Sequence, residues 1–301
     1  MRKPDFFIVG APRCGTSAMK SYLEKHPEIF MPRSAEEPNF FETDVYKQTS
    51  ISDEQIYLSL FAEAKNEKRV GEKSARYLYS KRAAAEIKEY QPSASIVIML
   101  RNPVHQLYSM HKQYIYIGRE DLVDFEAVLE AEEDRRRGLR LPDSISLREA
   151  WMLNYREIPR YTHQVQRYLD VFGWRNVHII IFDDFIHDLS GVYRDTLRFL
   201  RVNPDFQPKF HKINSSRRVR SRTVYNLLED RPQFVRSFVK VVMPFKLRDR
   251  VLKGLIHLNT NYAPRPPMKP ELRRQLQAEY LPEVEQLSKL LGRDLTRWCK
   301  G

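Results

Sequence analysis

The chain has 301 residues, 42% of them hydrophobic, with 16 Phe and 16 Tyr, enough apolar material for a buried core in one large domain or two small ones. Its formal charge of +12 favours anionic partners (nucleotides, acidic glycans, nucleic acid or membrane surfaces) and says nothing about fold. Two cysteines are too few for a disulfide framework, no Cys/His spacing suits zinc, and no apolar run reaches the ~20 residues that span a bilayer. No signal-type leader precedes the first predicted strand, so a soluble, cytoplasmic protein is expected.

Phe6 to Val9 reads as a buried parallel strand and Ser17 to Lys25 as a helix, closed by His26-Pro27. Glu28 to Met31 has the pattern of a short second strand. Arg33 to Asp44 is polar and irregular. Asp53 is placed to cap a helix with apolar positions Ile56, Leu58, Leu60 and Phe61. Val70 to Ser74 reads as a strand end or turn, and Ala83 to Tyr90 as a helix. Ser95 to Leu100 (SIVIML) is the clearest buried strand, flanked by Pro92 and Pro103, with a helix continuing from Val104 to Tyr116.

Asp121 to Arg137 is highly charged with sparse apolar anchors, most simply a solvated helix, with a lid as the alternative. A long helical stretch is expected from Leu147 to Val171, broken near Pro159. Val177 to Phe182 is another buried strand and Val192 to Leu200 another helix. Strands that alternate with helices predict a parallel sheet covered on both faces. From Lys209 onward the chain is basic and helical in pattern, with a final amphipathic helix over Leu272 to Leu291. No boundary is visible, so residues 1–301 are read as one domain, with 209–301 its helical C-terminal part.

The stretch Phe6 to His26 carries the chemistry. An apolar strand, a glycine-bounded turn and a helix start aim backbone N–H groups at an anion. Gly10-x-x-x-x-Gly15-Thr16-Ser17 has the spacing of a P-loop, but Thr16 stands where the lysine belongs, and the nearest basic side chain is Arg13 inside the loop. An ATP-using site also needs an acidic residue at a later strand end for Mg²⁺. Here SIVIML ends in Arg101, which favours a second anion over a cation. Ser109, on the following helix, can add a hydroxyl donor. Two anion sites, one at Arg13, Gly15, Thr16 and Ser17 and one at Arg101, imply a nucleotide phosphorylated at both ends. Cys14 within the loop reads as a small residue in a tight turn rather than a reactive thiol.

These residues resemble the sulfotransferases that use 3′-phosphoadenosine 5′-phosphosulfate (PAPS). GAPRCGTSAM is similar to their 5′-phosphosulfate loop and LRNPVHQLYSMH to their 3′-phosphate motif. EEPNFF, GEKSARYL, FDDFIHDLSGVYRDTLRFL and APRPPMKPELRRQL followed by LLGRDLTRW are further family-like pieces, in the family's order. The glycan-type branch, such as the heparan sulfate sulfotransferases and related bacterial enzymes, looks most similar.

The resemblance implies a P-loop-like three-layer α/β fold and metal-independent transfer of a sulfuryl group from PAPS to an acceptor hydroxyl or amine, leaving adenosine 3′,5′-bisphosphate (PAP). It implies that Arg13, Cys14, Gly15, Thr16 and Ser17 hold the 5′ end, and that Arg101 and Ser109 hold the 3′-phosphate. Lys73, in Glu-Lys-Ser, contacts the bridging oxygen or the sulfonate, and Glu37, in EEPNFF, is the general base. Glu36 and Glu72 are rivals for that role, and His26 and His111 weaker candidates. The family usually carries Lys where Arg13 stands; a guanidinium stays charged and donates no proton. Arg265, before the last helix, matches a basic loop that covers PAPS. The acceptor is expected on a carbohydrate, a glycolipid or another small or carrier-bound metabolite. The basic tail, with Phe234, Phe238, Met243 and Phe245, offers a contact to an acidic glycan, an anionic membrane or a carrier protein. Two other readings stay open: a nucleotide or small-molecule kinase with a degenerate P-loop, and a basic nucleic-acid-binding protein supported by charge alone.

Overall fold

The computed structural model describes residues 2–33, 37–45, 50–210, 217–219, 260–262 and 267–300. Continuous apolar runs, rather than alternating ones, require strands buried on both faces, which is the condition of a parallel sheet between helix layers. Five strands meet it: β1 (Phe6–Gly10), β2 (Ile29–Phe30), β3 (Arg69–Lys73), β4 (Ser95–Leu100) and β5 (Val177–Ile181). They form one sheet in the order β2-β3-β1-β4-β5 with every pairing parallel. Each residue of β1 is buried, and so is each residue of β4 after Ser95. Placing β1 between β3 and β4 brings the C-terminal ends of all three together, which is where parallel sheets bind ligands.

Two groups of helices cover the sheet. α1 (Thr16–Leu23) packs on β1 and β3 and meets the helix Leu189–Phe199 through the Tyr193 hydroxyl, which donates to Tyr22 O at 3.4 Å. In the other group are α3 (Ala83–Tyr90), α4 (Pro103–Tyr116), α7 (Tyr161–Phe172) and the long C-terminal α10 (Pro270–Leu291); α7 packs on α3, α10, β4 and β5. The remaining helices are α2 (Glu54–Ser59), α5 (Phe125–Glu130), α6 (Glu132–Arg136), α8 (Phe182–His187) and α9 (Leu189–Phe199). Arg69 straps the sheet edge, reaching Asp5 Oδ1 at 2.5 Å, Ser95 Oγ at 3.0 Å and Leu200 O at 2.9 Å.

Several expectations need correction. Of the two readings of Val70–Ser74, strand end or turn, the strand holds, and it is a full one: Arg69–Lys73 lies between β1 and β2. In α2, Asp53 caps as expected, but the inward residue is Tyr57, while Ile56 is 57% exposed. The long helix from Leu147 resolves into a 3₁₀ segment (Leu147–Leu153), an irregular stretch, and α7 beginning after Pro159 and Arg160. Phe182 opens α8 rather than ending β5. The charged stretch Asp121–Arg137 is two short helices, and it is not merely solvated. Arg135 is fully buried and forks onto Glu120 at 2.7 Å through both Nη atoms. In the tail, Arg217–Val219 and Thr260–Tyr262 pair as antiparallel strands β6 and β7, where helix was expected. Among the described residues, no helix is long and apolar enough to cross a membrane.

Candidate active site

The site forms where the tips of β3, β1 and β4 meet the start of α1. Gly10 ends β1 against the segment after β3; a side chain there would put its Cβ 2.7 Å from Ala75 O. The loop is then fixed at both ends: Ala11 N donates to Met99 O on β4 (2.7 Å), and Cys14 N donates to Ala11 O (3.3 Å). Gly15, with φ of 95°, turns the chain into α1, and a Cβ at this position would stand 3.1 Å from the Phe182 ring. No side chain caps α1, so its first-turn N–H groups and the positive end of its dipole serve the loop.

The two anion sites inferred from the sequence are one assembly. Arg13 Nε donates to Ser109 Oγ at 3.1 Å, and Arg101 Nη1 donates to Arg13 O at 3.3 Å. The Arg101 guanidinium lies 4.5 Å from the centroid of the Phe182 ring, which holds it in place. Asn102 caps α4 through His105 N, which turns the chain so that Ser109, two turns on, points back at the loop. Thr16 is buried and Ser17 exposed at the helix start. Cys14 is fully buried and 3.7 Å from the Tyr161 hydroxyl; burial pushes its thiol up to about 12, which fits the packing reading and not a reactive one.

The third strand contributes Lys73. Side chains alternate along β3, so Lys73 faces the loop while Glu72 and the following Ser74 face the other way. Lys73 Nζ lies 3.2 Å from Ser17 Oγ and 2.8 Å from Glu37 Oε1. Lys73 is nearly buried, with 3% of its side chain exposed, against 24% for Glu37. Glu72 is fully buried, and its two oxygens accept from Tyr57 and Ser74 hydroxyls, each at 2.6 Å. Burial pushes its carboxyl up to about 7, against the lowering by those hydroxyls.

That cluster holds the segment bearing Glu37. Asn39 N donates to Ser74 Oγ (3.0 Å), and Phe40 N and Phe41 N donate to the Tyr77 hydroxyl (2.8 and 3.2 Å). Asn39 has a backbone φ of 54°, and its side-chain amide donates to Glu37 O at 2.9 Å. Behind it, Arg76 pairs with buried Glu42 at 3.0 Å and lies 5.7 Å from the Trp151 ring.

Of the sequence candidates, Arg13, Cys14, Gly15, Thr16, Ser17, Glu37, Lys73, Arg101 and Ser109 come together here. Glu72 sits behind β3 rather than beside Glu37. His26 is occupied in structure: Nδ1 accepts from Glu28 N (3.1 Å), so Nε2 donates to Asn203 O (2.9 Å). His111 bonds Leu122 O and stacks on Phe125, and burial lowers its pKa. Glu36, Arg265, Phe234, Phe238, Met243 and Phe245 lie outside the described residues. Among the described residues no group of three His, Cys, Asp or Glu could hold a metal ion. Sequence reasoning missed Gln106, Tyr161, Phe182 and Tyr77. Gln106 had a signal, since it precedes Ser109 by three residues and so shares its helix face.

A parallel sheet whose β1 runs through a glycine-bounded loop into α1 defines a P-loop-like α/β protein. The chain belongs to the sulfotransferase family: residues 3–226 match the model of the sulfotransferase domain. It is similar to a sulfotransferase from Alicyclobacillus acidocaldarius, with a TM-score of 0.73, 31% identity and 99% of each chain covered. Among curated proteins, it is 26% identical over 223 residues to the bifunctional heparan sulfate N-deacetylase/N-sulfotransferase 1 of Caenorhabditis briggsae, covering 69% of this chain and 24% of that protein. It is 29% identical over 117 residues to the human N-deacetylase/N-sulfotransferase 3, covering 37% of this chain and 13% of that one. The chain thus spans a quarter or less of the length of these relatives.

Proposed function

We propose that this sulfotransferase takes its sulfuryl group from PAPS and passes it to a hydroxyl or amine of a carbohydrate, glycolipid or carrier-bound metabolite. The observation that carries the reading is the contact of Arg101 Nη1 with Arg13 O at 3.3 Å, because it sets an anion loop and a second cationic strand tip side by side. The donor set suits the ligand: two guanidiniums, hydroxyls and uncapped helix N–H groups match two separated phosphate-type groups. The names of the heparan sulfate relatives support a glycan acceptor.

In this reading PAPS supplies an activated sulfuryl group. Arg13 and the N–H groups of Gly15 to Ser17 hold the 5′ end and offset charge that grows on the released phosphate. Arg101 and Ser109 hold the 3′-phosphate. Glu37 takes the proton from the acceptor as the new S–O or S–N bond forms. Lys73, fixed between Ser17 and Glu37, presents a positive charge at the centre of the site. Since the transition state is loose, the chain's task is positioning and charge compensation more than covalent chemistry.

A thermal-shift comparison of PAP, ATP and AMP tests the donor. PAP should stabilise the protein most; Mg-ATP stabilising it more than PAP would refute PAPS as donor. Labelled PAPS offered to de-N-sulfated heparin, simple glycolipids and small alcohols then tests the acceptor class, and label on the alcohols alone would exclude a glycan.

A further inference from the structure

A loop can cradle an anion only if its N–H groups face the ligand and its carbonyl oxygens turn away. Two carbonyls of this loop are held by side chains. Pro12 O accepts from Gln106 Nε2 at 2.8 Å, and Arg13 O accepts from Arg101 Nη1 at 3.3 Å. Gln106 has no exposed surface, so the carbonyl it binds is directed into the protein interior.

A buried amide is costly unless both its ends are bonded. Gln106 Oε1 accepts from the Tyr161 hydroxyl, which also lies 3.0 Å from Arg101 O and 3.7 Å from Cys14 Sγ. Tyr161 therefore stands where the 5′ loop, the tip of β4 and α4 converge. Both hydrogen-bonding ends of Gln106 are committed, and its reach to the loop is one peptide group.

We propose that Gln106 is a positioning residue for the 5′ end of the donor. It holds the Pro12–Arg13 peptide with its oxygen away from the bound phosphosulfate, and Tyr161 fixes the orientation of the Gln106 amide. The inference rests on PAPS as the donor. It goes beyond that reading by separating two roles within α4: Ser109 meets the 3′ end, while Gln106 acts on the 5′ end through the loop.

Calorimetry with PAP, AMP and adenosine 3′-monophosphate tests it on the full chain. Gln106→Leu should weaken PAP and AMP about tenfold, the worth of one well-placed hydrogen bond, and leave adenosine 3′-monophosphate unchanged. Tyr161→Phe should weaken the same two ligands by a smaller factor, and it carries the test if Gln106→Leu does not fold. Unchanged affinities overturn the assignment. So does an equal loss for all three ligands, which would mark Gln106 as general scaffolding of α4. If the wild-type protein binds PAP no better than adenosine, the donor reading itself has failed, and the role of Gln106 falls with it.

Discussion

Lys73 Nζ stands 2.8 Å from Glu37 Oε1, so the cation and the carboxylate proposed for catalysis are paired with each other. They come from different places. Lys73 ends a central strand, and Glu37 lies in an irregular segment whose next backbone N–H groups hang on Ser74 and Tyr77. The strand alternation that aims Lys73 into the site aims Glu72 and Ser74 away from it, toward the hydroxyl cluster behind.

Glu37→Gln keeps the size and a hydrogen-bond acceptor but removes the basic oxygen. Turnover should fall at least ~100-fold, the usual contribution of a general base, while PAP affinity stays nearly unchanged. Initial rates with labelled PAPS and calorimetry with PAP measure the two quantities. Wild-type turnover in the variant would transfer the role to another group.

Arg101→Ala should weaken PAP by about 1.5–3 kcal/mol, the range for a hydrogen bond to a charged group. AMP, which lacks the 3′-phosphate, should lose less. Its loss should not be zero, because Arg101 also holds Arg13 O. Equal losses for both nucleotides would place Arg101 in the 5′ loop alone.

The parallel sheet was legible because unbroken apolar runs have few alternatives: SIVIML is β4 residue for residue. The Gly10–Ser17 loop was legible because its spacing fixes a backbone shape. Less legible were groups whose role depends on distant partners. The Arg135 pairing needs Glu120, fifteen positions earlier in the chain, and in sequence it looks like any charged helix. Tyr161 and Tyr77 reach the site only through tertiary contacts, and no local pattern marks a buried tyrosine as a bracket. Glu72 was a rival base in the sequence, but it precedes Lys73 on β3, and adjacent strand residues point to opposite faces.

Glu72 makes a pH dependence that can be isolated. Burial raises its carboxyl in the folded protein to about 7, above its ordinary value of 4.5. Between those values the folded state holds a proton that the unfolded state has lost, so stability falls as pH rises from about 5 to about 7 and then levels. Glu72→Gln removes this component. The difference in urea stability between wild type and variant should therefore shift in favour of the variant across that window. A constant difference would mean that Glu72 ionises normally in the fold.

The Arg135–Glu120 pair should carry stability rather than catalysis. Both side chains have no exposed surface. Burial opposes ionisation of Glu120, but the Arg135 fork, Leu122 N and the Tyr155 hydroxyl outweigh it and hold the carboxyl below its ordinary value. Arg135→Met would leave that carboxylate buried with its main charge partner gone, at a cost of about 3–5 kcal/mol in urea unfolding. None of the Arg135 contacts is a proposed donor ligand, so PAP affinity should hold where the variant is folded. Adding Glu120→Gln to Arg135→Met removes the stranded charge and should recover part of the loss. A double variant as unstable as the two single losses summed would mean that the two side chains act independently, and that burial of the uncompensated carboxylate is not what the single variant suffers from.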